Sequence, residues 1–155
     1  MSNWILVVDF GSQVTQLIAR RIREQNIYCE VIPYNQLTID LLKTNSPKGI
    51  ILSGGPASVN DSQAPAIPQE IFSDNIPILG ICYGMQLLTH QMGGSVEPAD
   101  KREYGHAKLK HDSTHPILQG ISPETSVWMS HGDRVTNLPK GFKPLAYTAN
   151  SSIAV

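Results

Sequence analysis

Ile76-Pro77-Ile78-Leu79-Gly80-Ile81-Cys82-Tyr83-Gly84-Met85-Gln86 runs from an apolar stretch, through two spaced glycines, into a helix pattern. The run Ile76 to Ile81 reads as a strand, and Met85, Leu87, Leu88 and Met92 carry the helix until Gly93-Gly94 stops it. Between them, Gly80-Ile81-Cys82-Tyr83-Gly84 forms a sharp strand-to-helix turn. Glycines two residues before and two after Cys82 relieve the crowding that such a turn imposes, the logic also of Gly-x-Ser-x-Gly. The turn sets the sulfur at a helix N-terminus, where unpaired N–H groups and the helix dipole favour a thiolate. A buried structural cysteine is the competing reading, since free cysteine is among the most buried residue types.

Working back toward the N-terminus, Ile5-Leu6-Val7-Val8 is a short apolar run suited to a strand covered on both faces. After the turn Asp9-Phe10-Gly11-Ser12, the residues Val14, Leu17, Ile18 and Ile22 recur at helical spacing. Tyr28 to Ile32 predicts a second strand, Ile39 to Lys43 a short helix, and Lys48 to Leu52 a third strand ending at Ser53-Gly54-Gly55-Pro56. Residues 57 to 69 read as a loop with at most a short helix after Pro68. The alternation predicts an α/β fold: a mostly parallel sheet flanked by helices on both faces, joined by right-handed crossovers. Beyond Gly94 the segments His106 to Leu109, Ser126 to Met129 and Leu145 to Tyr147 predict a short antiparallel addition in the C-terminal half. No linker interrupts the chain, so residues 1–155 read as one domain.

Composition narrows the class. The chain is 41% hydrophobic and 16% charged with a net charge of -1, which gives no electrostatic basis for binding nucleic acid or an anionic membrane. Two cysteines, Cys29 and Cys82, make no disulfide framework, and Cys29 falls in an alternating strand pattern as an inert core residue. With no signal-like segment or membrane-length apolar run, the expected setting is the cytoplasm, where thiols stay reduced. No spacing of residues suggests a metal site.

In an open parallel sheet, sites form beyond the carboxyl ends of the strands, where the turns Asp9 to Ser12, Ser53 to Pro56 and Gly80 to Gly84 all lie. Gly54-Gly55 exposes backbone N–H groups that can cradle an oxyanion, with the Tyr83 N–H as second donor; a plain tight turn is the alternative. Five histidines are available as a partner for the thiol. His90 lies roughly 12 Å along the helix from Cys82, too far to reach it. His106, His111 and His115 sit in a polar segment. His131, in Ser130-His131-Gly132-Asp133, follows the apolar Val127-Trp128-Met129 at what reads as a strand end. A catalytic base, a substrate contact and a structural hydrogen bond are all open to it, the last two favoured.

These runs, in order, carry a resemblance. Asp9-Phe10-Gly11-Ser12-Gln13 with Gln16 to Glu24, then Ile51 to Pro56, Gly80 to Gln86, Arg102 to Gly105 and Ser130 to Arg134 resemble the GMP synthase branch of the class I glutamine amidotransferases. The resemblance implies that Cys82 attacks the side-chain amide of glutamine to release ammonia for the amination of xanthosine monophosphate. It further implies an oxyanion hole at Gly55 and Tyr83, and glutamine contacts from Gly54, Gln86, Ser130, His131, Gly132 and Asp133. No cofactor is implied for this part. ATP and magnesium are expected for an ATP pyrophosphatase domain, and the full enzyme is expected to be a homodimer. One departure stands out. The family's triad is completed by a His-Pro-Glu segment, and this sequence has none: His115-Pro116 is followed by Ile117. The resemblance therefore leads us to expect an incomplete amidotransferase domain. A hydrolase of another γ-glutamyl substrate, or a non-catalytic binding module, are the alternatives that the missing His and Glu leave open.

Overall fold

A computed structural model describes residues 3–73, 75–112 and 114–155, with only the backbone of residues 100–103 and 131. The chain divides into two compact units, residues 1–91 and 92–155. In the first, strands β1 (Trp4–Asp9), β2 (Tyr28–Pro33), β3 (Gly49–Leu52) and β4 (Ile78–Gly80) pair in parallel in the order β2-β1-β3-β4. Helix α1 (Thr15–Glu24) joins β1 to β2, α2 (Ile39–Asn45) joins β2 to β3, and α3 (Tyr83–Gln91) leaves β4. The steps β1 to β2 and β2 to β3 run in opposite directions across the sheet, so right-handed crossovers place α1 and α2 on opposite faces. Burial agrees. Val7 and Cys29 pack with Ala19 of α1, flanked by Ile5, Ile18, Ile22, Val31 and Ile51. Leu6, Val8, Ile50 and Leu52, pointing the other way, are also buried. Trp4, at the start of β1, is buried with its indole N–H donating to the Asn45 carbonyl (3.0 Å).

The helical period of α1 matches expectation, but its phase is rotated. Val14 and Leu17 are exposed, while Thr15 and Ala19 are buried and Ile18 and Ile22 line the core. The small Ala19 lets the helix settle close enough for the Cys29 thiol to donate to its carbonyl (3.4 Å). Cys29 is thus the inert core cysteine its strand pattern predicts. The short helix allowed after Pro68 is a 3₁₀ helix, Gln69–Ser73.

The second unit is built on one antiparallel ribbon of β5 (Ser95–Lys110) and β6 (Glu124–Asn137). The segments His106 to Leu109 and Ser126 to Met129 lie inside these longer strands, and Tyr147 bridges Lys110. Pairing is regular from Glu103–His131 to Lys110–Glu124, and the register shifts between Pro98 and Glu103. One ribbon face carries Tyr104, His106 and Trp128, all exposed, with the His106 ring edge-on to Trp128 at 5.0 Å. Beneath the other, Leu109, Leu118 and Ala146 form a small core. Among the described residues no helix is long and apolar enough to cross a membrane.

Candidate active site

The sheet order reverses direction between β1 and β3, and ligand crevices form beyond the strand ends at such a point. Three turns meet there. Ser53, first residue after β3, donates its backbone N–H to the Val8 carbonyl (3.0 Å), and its carbonyl accepts the Gly84 N–H (3.0 Å). The exit of β1, the exit of β3 and the start of α3 are thereby stitched together through one residue.

Cys82 sits on the turn from β4 into α3 with a positive φ of 51°. A non-glycine residue pays about 1–2 kcal/mol for that left-handed conformation, a strain typical of nucleophile turns. The flanking glycines are required by contact. A Cβ on Gly80 would lie 2.6 Å from the backbone of Met85, and one on Gly84 would overlap the Leu52 carbonyl oxygen. The carbonyl of Cys82 accepts the N–H groups of Met85 (3.0 Å) and Gln86 (3.1 Å), opening the helix directly behind the sulfur.

Gly54 is brought beside this turn: a Cβ built on it would stand 3.4 Å from both the Cys82 Cβ and the Ser12 Oγ. Gly55 is pressed against β1's exit, where a Cβ would come within 2.5 Å of the Phe10 carbonyl oxygen. No acceptor among the described residues takes the N–H of Gly55 or of Tyr83. A tetrahedral oxyanion requires two such donors; Tyr83 directly follows the thiol, and Gly55 directly follows the glycine beside it.

The Tyr83 side chain points away from this task. Its ring is buried against Phe10, which also stacks on Tyr34, and its hydroxyl donates to the Pro65 carbonyl (2.5 Å). Burial, with help from Asp61 and Tyr34, pushes the pKa of that hydroxyl up to about 12. Gln86 lies in the first turn of α3, buried. The structure thus brings Gly54, Gly55, Cys82, Tyr83 and Gln86 into one region of the first unit. His90 is exposed in the last turn of α3, remote along the helix.

Ser130, Gly132 and Asp133 belong to the second unit, within β6, and the side chain of His131 lies outside the described residues. The strand end or turn expected at Ser130 to Asp133 is instead continuous strand, because β6 goes on pairing with β5 through the register shift opposite. Sequence reasoning places Asp9 and Ser53 in turns at the site but gives no role to their side chains or to Thr15, which they meet in the structure. Their signal is present in the chain: a carboxylate ending a strand, and a threonine on the buried phase of the next helix.

Cys82 is exposed, yet its thiol is partly desolvated by the turn, which pushes its pKa up. That direction opposes the thiolate-favouring pull expected of the helix N-terminus alone. Since the thiolate is the reactive form, a raised pKa leaves less of it at neutral pH. Alkylation of Cys82 by iodoacetamide, followed by mass spectrometry across the alkaline range, is expected to rise through a midpoint above the ordinary thiol value of about 8.5. A midpoint near neutrality would contradict this. Among the described residues no group of three or more His, Cys, Asp or Glu side chains is placed to hold a metal ion.

Residues 6–155 match the family model for glutamine amidotransferase class-I. The chain is 55% identical over 150 residues to a glutamine-hydrolysing GMP synthase of Acetivibrio thermocellus, and 52% identical to that of Thermomicrobium roseum, in each case over 97% of this chain. It spans only 29% and 28% of those relatives' lengths. Among solved structures it superposes on a candidate GMP synthase subunit from Thermoplasma acidophilum with a TM-score of 0.79 and 29% identity, covering 99% of this chain and 76% of that one. The fold is shared also with a glutamine amidotransferase of Thermotoga maritima (TM-score 0.76, 19% identity, 97% and 69% covered). By its cysteine turn, its fold and its match over nearly the whole length, the chain belongs to the class-I glutamine amidotransferase family.

Proposed function

We propose that residues 1–155 are the amidotransferase part of a GMP synthase and that Cys82 is its nucleophile. The observation that carries this reading is the thiol on a strained strand-to-helix turn beside Gly54, with the Gly55 and Tyr83 N–H groups unclaimed among the described residues. The Cys82 thiolate adds to the side-chain carboxamide carbon of glutamine, and the carbonyl electrons move onto oxygen. Gly55 and Tyr83 N–H groups stabilise that oxyanion, where losing one such donor costs roughly 10²–10³ in rate. Collapse expels ammonia and leaves a γ-glutamyl thioester, and water then cleaves the thioester to glutamate and free thiol. A thiol held high by desolvation needs a base to supply thiolate at neutral pH, consistent with the family's use of a histidine.

Gln86 and Gly54 are proposed to contact glutamine. For Ser130, His131, Gly132 and Asp133 the same role rests on the motif alone. The ammonia is proposed to aminate xanthosine monophosphate in an ATP pyrophosphatase domain that uses ATP and magnesium, within a cytoplasmic homodimer.

Labelling tests the reading. A chloroketone analogue of glutamine, applied at mildly alkaline pH and followed by digestion, is expected to label Cys82 and to be blocked by excess glutamine. Cys29, 1% exposed and tucked under α1, is expected to stay unlabelled. Labelling of Cys82 that glutamine does not slow, or equal labelling of Cys29, would overturn the assignment.

A further inference from the structure

A chain of three side chains underlies the Gly54-Gly55 turn. The Thr15 hydroxyl donates to Asp9 Oδ1 (2.8 Å) and lies 3.0 Å from Ser53 Oγ. Ser53 Oγ is 3.1 Å from the Gly54 carbonyl oxygen and accepts the Phe10 N–H (3.4 Å). Thr15 and Ser53 are both buried, 1% and 0% exposed. Counting protons orders the chain. A carboxylate only accepts, so Thr15 gives its single proton to Asp9 and offers a lone pair to Ser53. The Ser53 proton is then shared between Thr15 Oγ1 and the Gly54 carbonyl.

That carbonyl is informative because of where it sits. The peptide joining Gly54 to Gly55 is planar and trans, so its C=O and N–H point in opposite directions. Holding the Gly54 oxygen therefore fixes the direction of the Gly55 N–H. Glycine at both positions leaves no side chain to restrain that plane, so without a grip on the carbonyl the turn has alternatives. We infer that Ser53, held in place by Thr15 and Asp9, is a positioning residue that sets the aim of the Gly55 N–H toward the oxyanion. Its backbone is already bound to the exit of β1 and the start of α3, so the hydroxyl is referenced to the same frame as Cys82. The inference rests on the role proposed for Gly55.

Two alkylating reagents separate aim from mere integrity of the turn. With the chloroketone, sulfur adds to the ketone carbon and generates an oxyanion. Sulfur then displaces chloride, which leaves the adjacent methylene with its electron pair, while the bond to the former ketone carbon breaks and the oxyanion's electrons re-form the carbonyl. Iodoacetamide is attacked directly at its methylene with loss of iodide, and no tetrahedral oxyanion forms. Ser53→Ala and the isosteric Thr15→Val are expected to slow chloroketone labelling of Cys82 by at least ~10-fold, a part of what a lost oxyanion donor costs. Iodoacetamide labelling is expected to keep its parent rate and pH profile, and Thr15→Ser, which keeps the hydroxyl, is expected to restore chloroketone labelling. Equal slowing with both reagents, or no slowing with the chloroketone in either variant, would overturn the inference and leave the nucleophile assignment standing. Failure of the parent protein to show glutamine-protected chloroketone labelling would overturn both.

Discussion

Cys82→Ala, made in a protein that also carries the His and Glu of the family's triad, is expected to reduce glutamate release from glutamine by roughly 10⁴-fold or more, the scale of loss when the nucleophile of such a site is removed. The substitution deletes only the sulfur. Alanine keeps the Cβ, so the strain of the positive φ at this position is unchanged, and Cys82 is an exposed residue that belongs to no core cluster described above. The Gly54-Gly55 turn and the Tyr83 N–H stay where they are, because what holds them, the Ser53 hydroxyl on the Gly54 carbonyl and the backbone bonds through Ser53 and Gly84, does not involve the sulfur. Circular dichroism and the thermal midpoint should therefore match the parent, and a loss of activity could not be traced to unfolding. Retention of more than about a tenth of the parent rate would place the nucleophile elsewhere.

The second large effect falls on stability. Gly84 lies inside α3, and helix propensity alone predicts that Gly84→Ala stabilises by about 1 kcal/mol. The site predicts the opposite sign. A Cβ there would overlap the Leu52 carbonyl oxygen and come within 2.6 Å of the Leu52 carbonyl carbon and Cβ. Leu52 is wholly buried at the end of β3, so neither strand nor helix can yield without parting α3 from the sheet. Overpacking against backbone in a core of this kind costs about 3 kcal/mol or more. Urea unfolding should show it as a large fall in midpoint or as loss of soluble protein. An unchanged or raised midpoint would mean that the helix is not seated on β3.

Much of this is legible in the chain. Apolar runs of strand length, helical spacing between them and turn residues at their ends are enough for the parallel sheet, and the spacing of Gly80, Cys82 and Gly84 for the nucleophile turn. What escapes the sequence has physical causes. The phase of α1 is ambiguous because Val14 and Leu17 satisfy the same period as Thr15 and Ala19. Close helix–strand approach selects the small residues, a preference that hydrophobicity does not encode. Ser53 looks like turn punctuation because its partners, Phe10 and Thr15, lie 43 and 38 residues away in sequence. The strands β5 and β6 read as fragments because Pro98 and Gly105 in the first, and the polar run Ser130 to Arg134 in the second, interrupt their alternation.

The two tryptophans divide the molecule for a spectroscopist. Trp4 is enclosed under the parallel sheet with its indole N–H bonded, whereas Trp128 is 70% exposed on the ribbon beside His106. The first emits from a buried site out of reach of dissolved quenchers; the second emits into water, beside an imidazole ring. Each unit therefore carries its own native fluorophore of distinct colour. Whether the parallel sheet and the ribbon melt together or in turn can be read from a single unmodified sample.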